Sequence, residues 1–116
     1  MSTDSISRDG NILVAAPNGR LAQEEAVNLR NSLRSHLEVE GSCLLLDLTA
    51  VDYMTSAALG VVISLLQKVK SSGGRMAVAA PDERVHTLLE VAGLNQLLEL
   101  CHSRSDAEKC LKGEDA

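Results

Sequence analysis

Ser56 sits in the run Asp52-Tyr53-Met54-Thr55-Ser56-Ala57-Ala58-Leu59-Gly60, where an apolar stretch gives way to helix-like periodicity. A hydroxyl there can attack a substrate, cap a helix or accept a phosphoryl group. Attack needs a histidine base and an orienting carboxylate, and Ser56 is not in a G-x-S-x-G elbow. Asp47 and Asp52 are candidates for a carboxylate pair. More often, one such aspartate ends a strand and the other makes a turn, and that is the expectation here. No G-x-x-x-x-G-K-[ST] or G-x-G-x-x-G run is present to cradle a phosphate. Cys43, Cys101 and Cys110 are odd in number and form no C-x-x-C, and His36, His86 and His102 form no H-E-x-x-H. The cysteines are therefore expected to pack and the histidines to face solvent. No catalytic residue, metal site or cofactor is expected, and the chain reads as a non-enzyme.

Composition narrows the partners. The 116 residues suit one domain, here 1–116 with an ordered core over about 5–112, and 45% of them are apolar. There is one Tyr and no Phe or Trp, so Leu, Val, Ile and Ala must build the core. Stacking platforms for single-stranded nucleic acid are missing. A formal charge of -5 opposes phosphate backbones. Direct nucleic-acid binding is thus excluded as an expectation. No apolar run reaches the roughly 18 residues of a membrane span, and no secretory n-region and h-region open the chain. A cytoplasmic protein without membrane insertion is expected, one that meets other proteins.

Elements must position the serine. Asp9-Gly10 marks a hairpin within Ser5 to Ala16, and Pro17-Asn18-Gly19 breaks its second strand, with no strand expected after it. From Ala22 to Val39, Ala22, Ala26, Leu29, Leu33 and Leu37 share one helical face, and Gly41 ends the helix. Cys43 to Leu48 is an apolar run suited to a strand covered on both faces. A helix follows over Ser56–Ser71, closed by Gly73-Gly74, and Arg75 to Ala80 reads as another buried strand. Asp82 is the expected N-cap of a third helix with Val85, Leu88, Leu89 and Ala92 inward, stopped by Gly93. "LLEL" is a last strand, and Ser105 to Leu111 a last helix burying Ala107, Cys110 and Leu111. Only the first few residues and "KGEDA" read as loose ends. Strands alternating with helices predict an α/β domain with a mixed, mostly parallel sheet, an N-terminal edge strand and helices mainly on one face.

The stretch "LLLDLTAVDYMTSAALGVV" resembles the signature of the STAS domain family, named for sulfate transporters and anti-sigma factor antagonists. Its usual form is an apolar strand, Asp-Leu, a link, then aromatic-Met/Ile-Asp-Ser-Ser/Thr-Gly-Leu-Gly. The later "GGRMAVAAPDERVHTLLEVAGLNQLLEL" resembles the family's second half, so the likeness covers nearly the whole chain. The small size is most similar to bacterial anti-sigma factor antagonists. Such a protein binds an anti-sigma factor that is also a serine kinase. Phosphorylation of the serine after the motif Asp, here Ser56, ends binding, and a phosphatase of the PP2C type restores it. The resemblance also admits a STAS subunit that works without phosphorylation in a larger assembly, a lipid-transport complex or a signalling scaffold. Thr55 and Ala58 stand where the family usually has Asp and Gly, and Gly19-Arg20-Leu21-Ala22 where it often has Gly-Glu-Leu-Asp.

Physically, the hydroxyl of Thr55 or of Ser56 can cap the helix, worth about 0.5–2 kcal/mol. Ala58 reads as first-turn helix, where Ala gains up to about 1 kcal/mol over Gly. Leu59, Val62, Ile63, Leu66 and Val69 are expected to cover the sheet. Thr55, Ser56, Ala57, Gly60, Val61 and Ser64 are the expected partner-binding residues: a strip of small side chains with Gln67 below it and Val61 and Leu65 at its margin.

Overall fold

Strand β4, Cys43–Asp47, is buried along its whole length. Alternate residues face opposite ways along a strand, so its Leu-rich run serves two cores. Leu44 and Leu46 join the larger cluster, and Cys43 and Leu45 the smaller one. The computed structural model describes residues 5–113. Of the expected loose ends, residues 1–4 and 114–116 lie outside the described residues. Around β4, strands β2 (Ile12–Ala16) and β6 (Met76–Ala79) pair parallel with it. Strand β1 (Ser5–Asp9) closes one edge antiparallel to β2, and β7 (Glu99–Cys101) closes the other, parallel to β6. The sheet order is β1-β2-β4-β6-β7.

Helices α1 (Gln23–Arg34), α2 (Ser56–Ser71) and α3 (Glu83–Val91) pack into the larger cluster, while α4 (Arg104–Lys112) covers the other face with Ala107 and Leu111. The expected α/β fold, with its antiparallel edge strand and helices mainly on one face, is the one observed. Each helix start has a local cause. Asp82 caps α3 by accepting from Arg84 N at 2.9 Å and Val85 N at 3.3 Å, and Ser103 caps α4 through Asp106 N at 3.1 Å. Helix α1 begins after Ala22, which has no side-chain acceptor. There Glu25 alone works, accepting from Ala22 N at 3.2 Å.

Five expectations need correction. Residues after Gly19 do form a strand: β3 (Asn18–Leu21) pairs parallel with β5 (Ala50–Met54) in a second, two-stranded sheet. Strand β3 buries Leu21 alone and is bulged between Gly19 and Arg20, so it has no alternation to read. Helix α1 stops at Arg34, and Leu37 is buried instead from a 3₁₀ turn over His36–Glu38. In α3, Ala92 is exposed and His86 takes the inward position. Cys110 on α4 is half-buried. Finally, the buried stripe of α2 is Ala58, Val61, Val62, Leu65, Leu66 and Val69, with Leu59 and Ile63 only partly covered. Helix α1 lies along α2 and widens its buried arc toward Val61 and Leu65.

One glycine is fixed by contact. A Cβ on Gly74 would run into the carbonyl carbon and oxygen of Ser42 and crowd the Val69 side chain. The chain turns there from α2 to β6, with Gly74 N donating to Val69 O at 3.0 Å and Leu44 N to Arg75 O at 3.0 Å. The Ser42 carbonyl belongs to the backbone entering β4, so it cannot yield cheaply. Gly74→Ala should therefore lower unfolding stability by roughly 1–3 kcal/mol, as overpacking does, read as a fall in the urea midpoint. At Gly60 an added Cβ meets nothing within 4 Å. Gly60→Ala should raise the same midpoint, by up to about 1 kcal/mol of helix propensity.

Candidate partner-docking site

The junction into α2 separates two hydroxyls by role. Thr55 has extended backbone (φ -94, ψ 166), and its Oγ1 accepts from Ala58 N at 3.2 Å, so it is the N-cap. Its own N–H donates to Leu21 O at 3.2 Å, tying the helix start to β3. Thr thus keeps the capping oxygen that an Asp would supply there and drops the charge. Ser56 is the first helical residue and is exposed, and among the described residues its hydroxyl has no hydrogen-bond partner. Ala58 is helical and fully buried, and no described non-glycine residue has positive φ. Its methyl is core packing.

Of the residues expected to meet a partner, Ser56, Ala57 and Gly60 are exposed on one side of α2, and Thr55 and Ser64 are half-exposed. Val61 is not on this surface: it is only 7% exposed and belongs to the larger core. The periodicity pointed to one sheet-facing stripe, whereas the helix is covered by the sheet and by α1 together.

Three side chains missed by sequence reasoning flank the strip. Tyr53 on β5 is 44% exposed, with the guanidinium of Arg20 on β3 4.5 Å from its ring centroid. Arg84 Nη2 donates to Asp52 O at 3.0 Å, and on to Asp82 Oδ2 at 3.4 Å. The Arg84 side chain, with the Val85 N–H, holds the Asp82 carboxyl below its ordinary range. A shallow cavity of about 250 Å³ lies between β5 and α3, lined by Asp52, Tyr53, Met54, Arg84, Val85 and Leu88. The signal for Tyr53 was present: a lone aromatic next to a helix start. Arg20 and Arg84 needed the second sheet and the placement of α3.

Elsewhere the candidate chemistry dissolves into structure. Asp47 and Asp52 are not a pair. Asp47 is buried, accepting from Thr49 N at 3.0 Å and Arg104 Nη1 at 3.3 Å. Asp52 is exposed within β5 and not in a turn. His86 departs from the solvent-facing expectation. It is buried, stacked 3.9 Å from His102, with Nδ1 donating to Ala80 O at 3.0 Å and Nε2 3.6 Å from Glu90 Oε2. The carbonyl can only accept, which fixes the proton on Nδ1. No group of three or more His, Cys, Asp or Glu among the described residues could hold a metal ion. No helix among them is long and apolar enough to cross a membrane.

Two predictions follow the local chemistry. Thr55→Ala should cost about 1 kcal/mol of stability through the lost cap, and Ser56→Ala less than about 0.5 kcal/mol, both read by urea unfolding. Burial, reinforced by neighbouring Cys110, pushes the Cys101 thiol from 9.0 up to about 12. A raised value means that the protonated thiol's contribution to stability is whole below pH 9.0 and is lost as pH rises toward about 12. The thiolate is the reactive form. Iodoacetamide at neutral pH should leave Cys101 unmodified in the folded protein and alkylate it in urea, as mapped by mass spectrometry.

Comparison with known proteins places this geometry among relatives. A family profile described as STAS domain matches residues 5–107. A candidate anti-sigma factor antagonist of Thermotoga neapolitana is 28% identical over 103 residues, covering 88% of this chain and 91% of that protein. The crystal structure of a candidate anti-sigma factor antagonist from Thermotoga maritima superposes with TM-score 0.85 at 24% identity, over 94% of each chain. SpoIIAA, an anti-sigma factor antagonist and Bacillus cell-fate determinant, shares the fold in two forms. The unphosphorylated form superposes with TM-score 0.75 at 14% identity, over 96% of this chain and 99% of that one. The phosphorylated form gives 0.73 at 13%, over 93% and 99%.

Proposed function

The chain belongs to the STAS domain family, and from that premise we propose that it is an anti-sigma factor antagonist, docking through the exposed side of α2 on an anti-sigma serine kinase. Phosphorylation of Ser56 by that kinase ends the interaction, and a phosphatase of the PP2C type reverses it, in the cytoplasm. The observation that carries the reading is the division of labour at the helix start: Thr55 caps, leaving the Ser56 hydroxyl exposed and uncommitted. The docking residues are Thr55, Ser56, Ala57, Gly60 and Ser64, with Tyr53 at the border. Small side chains let another backbone approach closely.

The switch is electrostatic. A phosphate adds about -1.5 to -2 charges at neutral pH. It would sit at a helix N-terminus, where free N–H groups and the positive dipole end favour an anion. The domain therefore keeps its fold, and the cost falls on the complex, where a dianion must be desolvated against small, uncharged side chains. The two forms of SpoIIAA, which match this chain almost equally well, support a modification that leaves the fold in place.

Incubation with a partner kinase and ATP should phosphorylate Ser56, mapped by mass spectrometry. The far-ultraviolet circular dichroism should stay unchanged while kinase affinity falls at least about tenfold. Ser56→Ala should bind the kinase constitutively. Gly60→Arg should abolish binding in a folded protein, since the position opens on free space. A kinase that binds tightly yet leaves Ser56 unmodified would sink the switch. That result would favour a non-phosphorylated STAS subunit of a larger assembly, a reading favoured by Thr55 and Arg20 in place of the family's usual acids.

A further inference from the structure

A cavity of about 230 Å³ opens between α1 and α2, away from the Ser56 end, lined by Arg30, Arg34, Leu37, Glu38, Ser64, Leu65 and Lys68. Three of its side chains are cations and one is a carboxylate, a surplus of two positive charges on a chain whose formal charge is -5. Among the described residues, none of these charged groups takes part in an ion pair or a side-chain hydrogen bond with the protein. Arg30 Nε is moreover buried with no hydrogen-bond partner. The Arg30 side chain as a whole is half-buried, but an enclosed donor left unpaired is costly, and a native chain normally satisfies it from protein, solvent or a bound group. The cations of a solvated surface face would not need a concave wall or a sequestered guanidinium nitrogen.

From this juxtaposition we propose that the α1–α2 cavity binds a small phosphate-bearing anion, held by Arg30 and Arg34 with Lys68 and the Ser64 hydroxyl beside them. Arginine forks match phosphate oxygens, and lysine adds a point charge. A phosphate monoester carries close to two negative charges at neutral pH, equal to the surplus in the cavity. The volume lies below the about 300–1,000 Å³ of pockets for drug-sized ligands. No aromatic side chain lines the cavity to stack a base, so the phosphate group itself is what is recognised. The site borders the proposed docking strip at Ser64 but does not include Ser56, and it does not require Ser56 to be modified.

The test is nitrogen-15 NMR on the unphosphorylated full chain, titrated at pH 7.5 with inorganic phosphate, with glycerol 2-phosphate, and with sodium chloride at matched ionic strength. Saturable shifts of Arg30 Nε–Hε and of the Ser64 and Leu65 amides are expected with the phosphates and not with chloride. Arg34→Gln and Lys68→Gln, both at exposed positions, should each weaken binding about three- to tenfold. Glu38→Gln should tighten it, because it removes the opposing charge. Equal affinity for the two probes assigns the site to free phosphate, and tighter binding of the monoester assigns it to a phosphorylated small molecule. The proposal is overturned if the shifts are non-saturable or are reproduced by chloride. It is equally overturned if Arg34→Gln and Lys68→Gln bind phosphate as the natural chain does.

Discussion

Burial of β4 on both faces is the constraint on which the remaining structure depends. With no Phe or Trp and the one Tyr at the surface, the core is filled by short aliphatic side chains, and close packing replaces bulk. Leu44, Leu45, Leu46 and Leu48 are each fully buried, and Ala77, Ala79 and Ala80 bring the neighbouring strand and its exit close. Such a core tolerates little slack. The backbone approach of Gly74 to Ser42 is one expression of it. At its far end, β4 stops at Asp47, whose carboxylate holds the next turn through Thr49 N and the start of α4 through Arg104. That turn leads into β5, and β5 delivers Thr55 to Leu21 and Ser56 to the surface. The exposed serine is thus fixed by a chain of contacts that begins in the most buried strand.

The division between Thr55 and Ser56 bears on how the proposed switch can coexist with a stable helix start. Had the Ser56 hydroxyl also been the cap, phosphorylation would have exchanged a hydrogen bond of about 1 kcal/mol for a phosphate in the same place. Here the cap survives any change at Ser56. The flanking cations are also engaged locally, Arg20 over Tyr53 and Arg84 on the Asp52 carbonyl and Asp82. They bind β3, β5 and α3 around the helix terminus.

What could be read from sequence followed the strength of the burial pattern. The α2 limits were read as they stand, and β4 and β6 nearly so, because Cys43 to Leu48 is apolar but for Asp47, Met76 to Ala80 is a continuous apolar run, and Gly73-Gly74 punctuates sharply. Strand β3 was not legible, because it buries one residue of four and its bulge removes the period. Strand β5 was hidden between Asp47 and the helix, with Val51 and Met54 as its buried positions. Helical periodicity gave the right helix with its buried arc misplaced, since a single sequence cannot announce a second helix on its flank. Ser56, Ala57 and Gly60 stayed outside under either arc, whereas Val61 did not. His86 was missed because a buried imidazole needs a carbonyl acceptor and a stacking partner: Ala80 supplies the first from the end of β6, and His102 the second from beyond β7.

Tyr53 has one more consequence. It is the chain's single Tyr, and there is no Trp or Phe, so the hydrophobic interior is silent in tyrosine-excited fluorescence. The protein's whole native emission comes from a ring three residues before Ser56, half in solvent and stacked under a guanidinium. Quenching, anisotropy and lifetime of that emission report on the surface around the start of α2 without a label. They are blind to the packing of the core, and the two can therefore be followed separately in one sample.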